Sequence, residues 1–128
     1  MIVAGIGCRS DITKDALLSL VQRVSAGHLL ARLAAPAFRQ GEPAISALAK
    51  TLKIELVWIS AKDMAERQIE CETHSAVAFE KTGFSSVAEA CALAGAGPKS
   101  HLLVTRQSDR DVTCALAVSS DTTGIENG

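Results

Sequence analysis

The first nine residues, Met-Ile-Val-Ala-Gly-Ile-Gly-Cys-Arg, constrain the fold more than any other stretch. The nearly continuous apolar run over residues 2–7 is typical of a strand that is covered on both faces, inside an α/β sheet. A Gly-x-Gly pair closes this strand, and Cys8 and Arg9 follow where the chain leaves the sheet. Ligands of open α/β sheets bind outside the carboxyl ends of the strands. We therefore expect a central first strand with a candidate binding loop at its end.

The rest of the chain alternates short apolar runs with segments of helical periodicity, and this order predicts a single domain. Strands are predicted at 2–7, in the later half of 29–35, and at 55–59, 101–105 and 112–118; helices are predicted after Thr13, from Glu42-Pro43, after Ser60, from Ser75 and over 87–94. This order indicates an α/β fold, a three-layer α/β/α domain over residues 1–118 with a mixed sheet of about five strands. Residues 106–111 have the composition of a hairpin loop, and residues 119–128 are expected to form a flexible polar tail.

Composition argues against several classes of partner. Thirteen basic and fourteen acidic residues leave a formal net charge of −1, and only 3% of the chain is aromatic. A nucleic-acid surface would need a basic run, and a base-stacking platform would need aromatic rings. No apolar run reaches membrane-spanning length, and the start does not resemble a signal peptide, so a cytoplasmic location is expected. We predict no nucleic acid or membrane partner.

The cysteines and histidines show no spacing that favours a metal site. The four cysteines form no C-x-x-C pair, and the three histidines lie far apart in the sequence. Neither a disulfide framework nor a structural zinc site is expected, which fits a reducing compartment. No metal and no cofactor are predicted. Cys91 and Cys114 lie in apolar stretches and are predicted to be buried and reduced, whereas Cys8 is expected to be the most accessible thiol.

The loop after the first strand offers a candidate anion site. Gly5 and Gly7 would let a ligand approach the backbone, and Arg9 has five donors that match a carboxylate or a phosphate. The alternative is a tight strand-to-helix turn with a surface arginine. A dinucleotide site is not favoured, because Ser10 stands where the third glycine of that motif would be. Cys8 lies beside Arg9 and near a helix start, which would lower its pKa, but no base for a nucleophile is evident.

Three further positions carry polar groups that could meet a ligand. Glu42 precedes a proline-started helix, where a negative charge is favourable in any case. Glu89 lies among small apolar residues and is either on a solvated stripe or a buried acceptor for a loop amide. Arg106 and Gln107 follow the predicted fourth strand, where they could contact a polar ligand or form a solvated hairpin tip.

Four segments, taken in order, resemble the CobE/CbiG C-terminal domain family of cobalamin biosynthesis. They are residues 5–9 (GIGCR), 40–43 (QGEP), 87–94 (VAEACALA) and 102–107 (LLVTRQ). Their order and spacing match over essentially the whole chain. Two positions depart from the family pattern: Ser108 stands where a basic residue often follows Gln107, and Gly41 stands where an aspartate often precedes Glu42.

The resemblance implies a role in the corrinoid pathway. The leading hypothesis is a protein that binds a corrinoid or precorrin intermediate and helps to pass it between cobalamin-pathway enzymes. The candidate ligand-binding residues are Gly5, Gly7, Cys8, Arg9, Glu42, Glu89, Arg106 and Gln107. One alternative is a precorrin-processing hydrolase or isomerase related to the cobalt-precorrin-5A hydrolase CbiG, with Cys8, Glu42 or Glu89 as chemical groups. The other is a module that docks on a pathway enzyme without contacting the ligand.

Overall fold

The structure is a computed structural model that describes residues 1–119. In chain order the elements are β1 (Ile2–Cys8), α1 (Lys14–Val24), β2 (Leu30–Pro36), α2 (Pro43–Leu52), β3 (Glu55–Ile59), α3 (Ala61–Arg67), α4 (Ala76–Thr82), α5 (Val87–Ala96), β4 (His101–Asp109) and β5 (Val112–Val118). Single 3₁₀ turns span Ala37–Arg39 and Gln68–Glu70. The predicted order of strands and helices is confirmed, and β2 occupies almost the whole apolar run rather than its later half.

The first strand lies in the middle of the sheet. The strand order is β3-β2-β1-β5-β4. β1 pairs in parallel with β2 and antiparallel with β5, and the β4–β5 pair is also antiparallel, so the sheet is mixed as predicted. Val3, Ala4 and Ile6 are completely buried. The uninterrupted apolar run predicted this position because a central strand is covered on both faces.

Helices cover both faces of the sheet and complete the three layers. On one face α1 and α2 pack through residues such as Leu17 and Ile45, and on the other α3 and α5 pack through residues such as Met64 and Leu93. These four side chains are all at most 1% exposed. The expected three-layer α/β/α domain is therefore confirmed.

Side-chain caps place the helix starts where the sequence predicts them. The Thr13 hydroxyl accepts the amide of Ala16 at 3.1 Å, and the Ser60 hydroxyl accepts the amide of Asp63, also at 3.1 Å. Each bond satisfies a backbone donor that has no partner within its own helix. Pro43 occupies the first turn of α2, where its fixed φ suits the helix.

Helix α5 lies directly on the backbone of β1 at Gly5. A Cβ atom at Gly5 would lie 2.1 Å from the carbonyl oxygen of Ala88 and 2.3 Å from the amide nitrogen of Ala92. The sequence prediction that Gly5 leaves room for a ligand is therefore corrected, because that room is filled by α5. The alanine-rich composition of α5 serves the same close approach.

The hairpin at the end of the chain is tighter than the sequence indicates. The predicted loop over residues 106–111 is wrong, because β4 continues to Asp109 and only Arg110 and Asp111 form the turn. Arg110 adopts a left-handed conformation there, with φ of 57°. β4 is an edge strand whose residues alternate between exposed and half-buried, so its polar composition mimics that of a loop.

The predicted polar tail lies almost entirely outside the described residues. Ser119, its first residue, is buried, and its amide donates to the carbonyl of Met1 at 2.9 Å. Residues 120–128 lie outside the part of the chain that the structure describes.

Candidate functional site

An open cleft of about 410 Å³ lies at the carboxyl end of β1. Its walls come from five parts of the fold: the end of β1, the 3₁₀ turn after β2, helix α4, the start of α5 and the β4–β5 hairpin. Gly7 lies at the floor, and Phe38, Ala78 and Val87 supply apolar surface. The parallel strands β1 and β2 both end here, so the cleft occupies the position where α/β sheets bind ligands.

The cleft collects positive charge. Its charged lining consists of Arg9, Arg39, Lys81, Arg106, Arg110 and one carboxylate, Asp111. Five cations therefore face one anion in a chain whose overall formal charge is −1. Clefts lined by one sign of charge concentrate ligands of the opposite sign. The arrangement is suited to a ligand with several carboxylates or phosphates.

Four of the five cations form no salt bridge among residues 1–119, and one of these four, Arg39, instead donates to the carbonyl of Cys8. Arg9 forms a salt bridge to Asp111, with 3.1 Å between Nε and Oδ2, and its side chain remains 71% exposed. Among residues 1–119, Lys81, Arg106 and Arg110 form no salt bridge. Charged groups that lack an internal partner are available to an anionic ligand.

The loop that carries Arg9 is held by two side chains from the segment after β2. Arg39 Nε donates to the carbonyl of Cys8 at 2.8 Å, and its guanidinium also lies 5.2 Å from the centre of the Phe38 ring. Glu42 Oε1 accepts the amide of Asp11 at 3.0 Å. These bonds fix the loop in a conformation in which Asp11 has a φ of 63°. Glu42 precedes α2 as predicted, but it supports the loop and does not line the cleft.

The Cys8 thiol lies in the cleft but is not activated. Burial raises its pKa to about 11, Arg39 lowers it by less, and Glu42 raises it further. The lowered pKa that the sequence predicts for Cys8 is therefore wrong, because Arg9 forms its salt bridge with Asp111 and α1 begins only at Lys14. Cys8 is nevertheless the only partly exposed cysteine, since Cys71, Cys91 and Cys114 are buried, which confirms the prediction for Cys91 and Cys114.

Glu89 lies completely buried behind the cleft. Its Oε1 accepts the amides of Glu72 and Thr73 at 2.8 and 2.9 Å, and its Oε2 accepts the Thr73 hydroxyl at 2.7 Å and the Arg106 amide at 2.8 Å. Burial by itself would raise the pKa of Glu89, but these four hydrogen bonds outweigh it and hold the pKa below its ordinary value. Of the two alternatives that the sequence left open, the buried acceptor of loop amides is confirmed.

Arg106 and Gln107 lie within β4 rather than after it, which corrects their predicted place on a loop. The structure brings only Arg106 to the cleft. Gln107 is exposed, and its side-chain amide donates to the carbonyl of Thr105 at 3.3 Å. Arg106 is half-buried whereas Gln107 is exposed, as expected where neighbouring strand residues point to opposite faces.

Of the eight candidate residues, four line the cleft. These are Gly7, Cys8, Arg9 and Arg106. Three cations of the lining were not among the candidates predicted from the sequence: Arg39, Lys81 and Arg110. Arg39 could have been found, because it follows β2 and the ends of parallel strands meet at one edge. Lys81 comes from α4, whose position no local pattern predicts.

No group of three or more histidine, cysteine or acidic side chains among residues 1–119 is arranged to hold a metal ion. No helix in this range has the length and hydropathy needed to span a membrane.

The sequence over residues 2–117 matches the family described as cobalamin synthesis G C-terminus. The chain belongs to this family. Protein CobE of a Sinorhizobium species is 30% identical over 124 residues, which cover 91% of this chain and 79% of that protein. The resemblance inferred from the four sequence segments is thereby confirmed.

Solved structures of the family share the fold. The crystal structure of CobE, from the cobalamin biosynthetic pathway, superposes with a TM-score of 0.84 at 33% identity, over 91% of this chain and 89% of that one. The cobalamin biosynthesis protein chiG of Agrobacterium tumefaciens strain C58 superposes with a TM-score of 0.74 at 32% identity, over 94% of this chain and 100% of that one. A cobalamin biosynthesis protein G homologue from Sulfolobus solfataricus superposes with a TM-score of 0.72 at 19% identity, over 91% of this chain and 36% of that one. This similarity shows the shared fold alone. The chain is a cobalamin biosynthesis protein.

Proposed function

We propose that this protein binds a corrinoid or precorrin intermediate in the cationic cleft and helps to pass it between pathway enzymes. The observation that carries this proposal is the set of three cations, Lys81, Arg106 and Arg110, that have no salt bridge among the described residues. Corrinoid intermediates carry many carboxylates around a flat ring. Each charged hydrogen bond to a carboxylate contributes roughly 1.5–3 kcal/mol.

The apolar part of the cleft suits the ring itself. Phe38 is 47% exposed, and Ala78 and Val87 add further apolar surface beside the cations. A cleft of this size that opens to solvent would hold one edge of the macrocycle and leave the rest exposed. An exposed remainder favours transfer, because an acceptor enzyme can contact the ligand before it is released.

The groups that a precorrin hydrolase or isomerase would use are poorly suited to chemistry here. The raised pKa keeps the Cys8 thiol protonated at neutral pH. Both Glu89 oxygens accept two hydrogen bonds inside the protein, and one Glu42 oxygen accepts the Asp11 amide. These features support binding over catalysis. The buried free thiols also support a cytoplasmic location, which is part of the proposal.

Titration with hydrogenobyrinic acid, followed by its visible absorbance, tests binding. We expect Arg9→Ala and Arg106→Ala each to weaken affinity about ten- to a hundredfold, since about 1.4 kcal/mol is a factor of ten. Arg23→Ala is the matched control, because Arg23 is an exposed arginine whose salt bridge to Asp109 lies outside the cleft lining. Mass spectrometry of the recovered ligand should show an unchanged mass.

Two comparisons separate the proposal from its alternatives. Cyanocobalamin, whose side arms are amides, should bind far more weakly than the polycarboxylate, and added salt should weaken binding of the polycarboxylate. Equal affinity of wild type and both cleft variants would contradict the proposed site. A changed ligand mass would indicate an enzyme instead, and absence of any binding would favour a docking module.

Transfer needs its own measurement. Protein loaded with the chromophore is mixed with increasing amounts of a pathway enzyme that accepts it. Direct transfer makes the rate at which the chromophore leaves rise with acceptor concentration. A rate that does not depend on the acceptor would mean simple release into solution and would contradict the transfer role.

A further inference from the structure

We infer that Glu89 is a positioning residue that couples the two walls of the cleft without touching the ligand. This inference rests on the proposed function, since it concerns how the same site holds its cations. One wall is α4, which carries Lys81, and the other is the β4–β5 hairpin, which carries Arg106. Glu89 on α5 forms hydrogen bonds that join β4 to the segment just before α4, residues 72–75, which we call the stem of α4.

The link to α4 runs through two residues just before the helix. Glu72 and Thr73 donate their amides to Glu89 Oε1, and two residues later the Ser75 hydroxyl caps α4 by accepting the amide of Ala78. No residue of α4 is buried. The position of this helix, and of Lys81 on it, therefore depends on how its stem is held.

The link to β4 runs through an irregularity in the strand. The pairing of β4 with β5 shifts register between Val104 and Gln107, and Arg106 lies inside that interval. Its amide donates to Glu89 Oε2 at 2.8 Å. Irregularities of this kind re-aim side chains at the edges of sheets. Holding the Arg106 amide inward lets its side chain line the cleft.

Only a carboxylate can accept all four of these hydrogen bonds. Glutamine has one acceptor oxygen, so its NH₂ group must face either the two amides at Oε1 or the Thr73 hydroxyl and the Arg106 amide at Oε2. The hydroxyl can reverse its role and accept, but a backbone amide cannot. Glu89→Gln is therefore expected to place its NH₂ group at the Oε2 position and to release the Arg106 amide.

A control variant separates positioning from general stability. Leu93→Ala creates a cavity beneath the same helix, because Leu93 is only 1% exposed and does not line the cleft. This variant is expected to lower the melting temperature and to change the affinity for hydrogenobyrinic acid less than about twofold.

The test is the affinity of Glu89→Gln for hydrogenobyrinic acid under conditions where all variants are folded. We expect about tenfold weaker binding, because a misaligned arginine loses most of one charged hydrogen bond. In the Glu89→Gln background, Arg106→Ala should then reduce the affinity clearly less than it does in the wild-type protein. The inference would be overturned if the losses of affinity in the two single variants multiplied fully in the double variant. It would also be overturned if Leu93→Ala lost as much affinity as Glu89→Gln at matched stability.

A measurement on the wild-type protein keeps the inference testable if Glu89→Gln does not fold. Hydrogenobyrinic acid bound at Arg106 should slow hydrogen exchange at the Glu72 and Thr73 amides, which face Glu89 rather than the cleft. Unchanged exchange at both amides would overturn the coupling. If wild type binds and Arg106→Ala weakens binding, the proposed function stands even where this inference fails.

Discussion

The two ends of α5 are both held by a buried charged side chain, but the two charges serve different purposes. At the amino-terminal end, which lies against the cleft, the Glu89 carboxylate accepts hydrogen bonds from two other segments. At the carboxyl-terminal end, the Arg67 guanidinium donates to the carbonyls of Leu93, Gly97 and Ser100. The Glu89 carboxylate fixes the position of neighbouring segments, whereas the Arg67 guanidinium satisfies carbonyls at the end of the helix and in the turn after it.

The two ends of α5 are therefore expected to contribute differently: the Arg67 end to stability alone, and the Glu89 end to both stability and ligand binding. Arg67 and the Ser100 hydroxyl both donate to the Leu93 and Gly97 carbonyls at the end of α5, and a cation there also complements the helix dipole. Arg67 is only 9% exposed and pairs with Glu70, and it lies outside the cleft lining. Loss of charge at the end away from the cleft should therefore lower stability alone, whereas loss of charge at the end near the cleft should lower both stability and ligand binding.

Gly5→Ala is expected to have the largest effect, because it pushes on the middle of α5 and so displaces both ends. The added Cβ would overlap backbone atoms of Ala88 and Ala92, which cannot move aside as a side chain can. We expect a loss of more than about 4 kcal/mol in the free energy of unfolding, measured by chemical denaturation. Gly41→Ala, where nothing lies within 4 Å of the new Cβ, is the control and should change little.

Arg67→Met should produce the next largest loss of stability and no specific loss of binding. Three carbonyls lose a charged donor, so we expect about 3 kcal/mol less unfolding free energy. Affinity for hydrogenobyrinic acid, measured well below the melting temperature, should stay within about twofold of wild type. A tenfold loss of affinity in this variant would break the distinction between the two ends.

Low pH should reduce the stability contributed at both ends of α5, and the loss should be larger at the Glu89 end. The pKa of Glu89 in the folded protein lies below its ordinary value of 4.5, so its stabilising contribution is complete above that pH and is lost as the pH falls below it. The stability difference between wild type and Glu89→Gln should therefore be constant above about pH 5 and shrink below it. The hydrogen bond from Arg67 also lowers the pKa of Glu70, but the Glu70 side chain is 44% exposed. Glu70→Gln should change the acid dependence less, and an equal change would contradict this ranking.

Arg9→Ala should have the smallest effect on stability. Its salt bridge to Asp111 joins side chains that are 71% and 39% exposed, and such pairs contribute at most about 1 kcal/mol. The variant is expected to melt within a few degrees of wild type while losing affinity. A large drop in melting temperature would show that the charge at the cleft mouth is structural, like Arg67.

The sequence predicts the parts of the molecule that local chemistry determines. The run over residues 2–7 predicts a central strand because it is apolar without interruption, and Thr13 and Ser60 predict helix starts because their hydroxyls cap backbone amides. Glu89 among small residues indicates either a solvated stripe or a buried acceptor, and the structure shows the acceptor, with the donors that a buried carboxylate needs.

The parts that the sequence does not predict depend on which segments meet in space. Lys81 reaches the cleft only because α4 lies against it, and Arg106 lies on an exposed edge strand whose polar residues have the composition of a loop. The pKa of Cys8 follows burial in the folded structure rather than its neighbour in sequence, because Arg9 turns toward Asp111.

The place of β1 between β2 and β5 has a consequence for how the molecule forms during synthesis. Gly7 pairs with Thr113, whose hydroxyl donates to the Gly7 carbonyl across 106 positions of sequence, so one edge of the central strand has no partner until β5 has left the ribosome. Contacts of such long separation slow folding, and unpaired strand edges promote aggregation in the meantime. We therefore expect nascent chains that stop before β5 to be kept from aggregating by chaperones, and the cleft, whose floor joins β1 to this hairpin, to be the last part of the molecule to take shape.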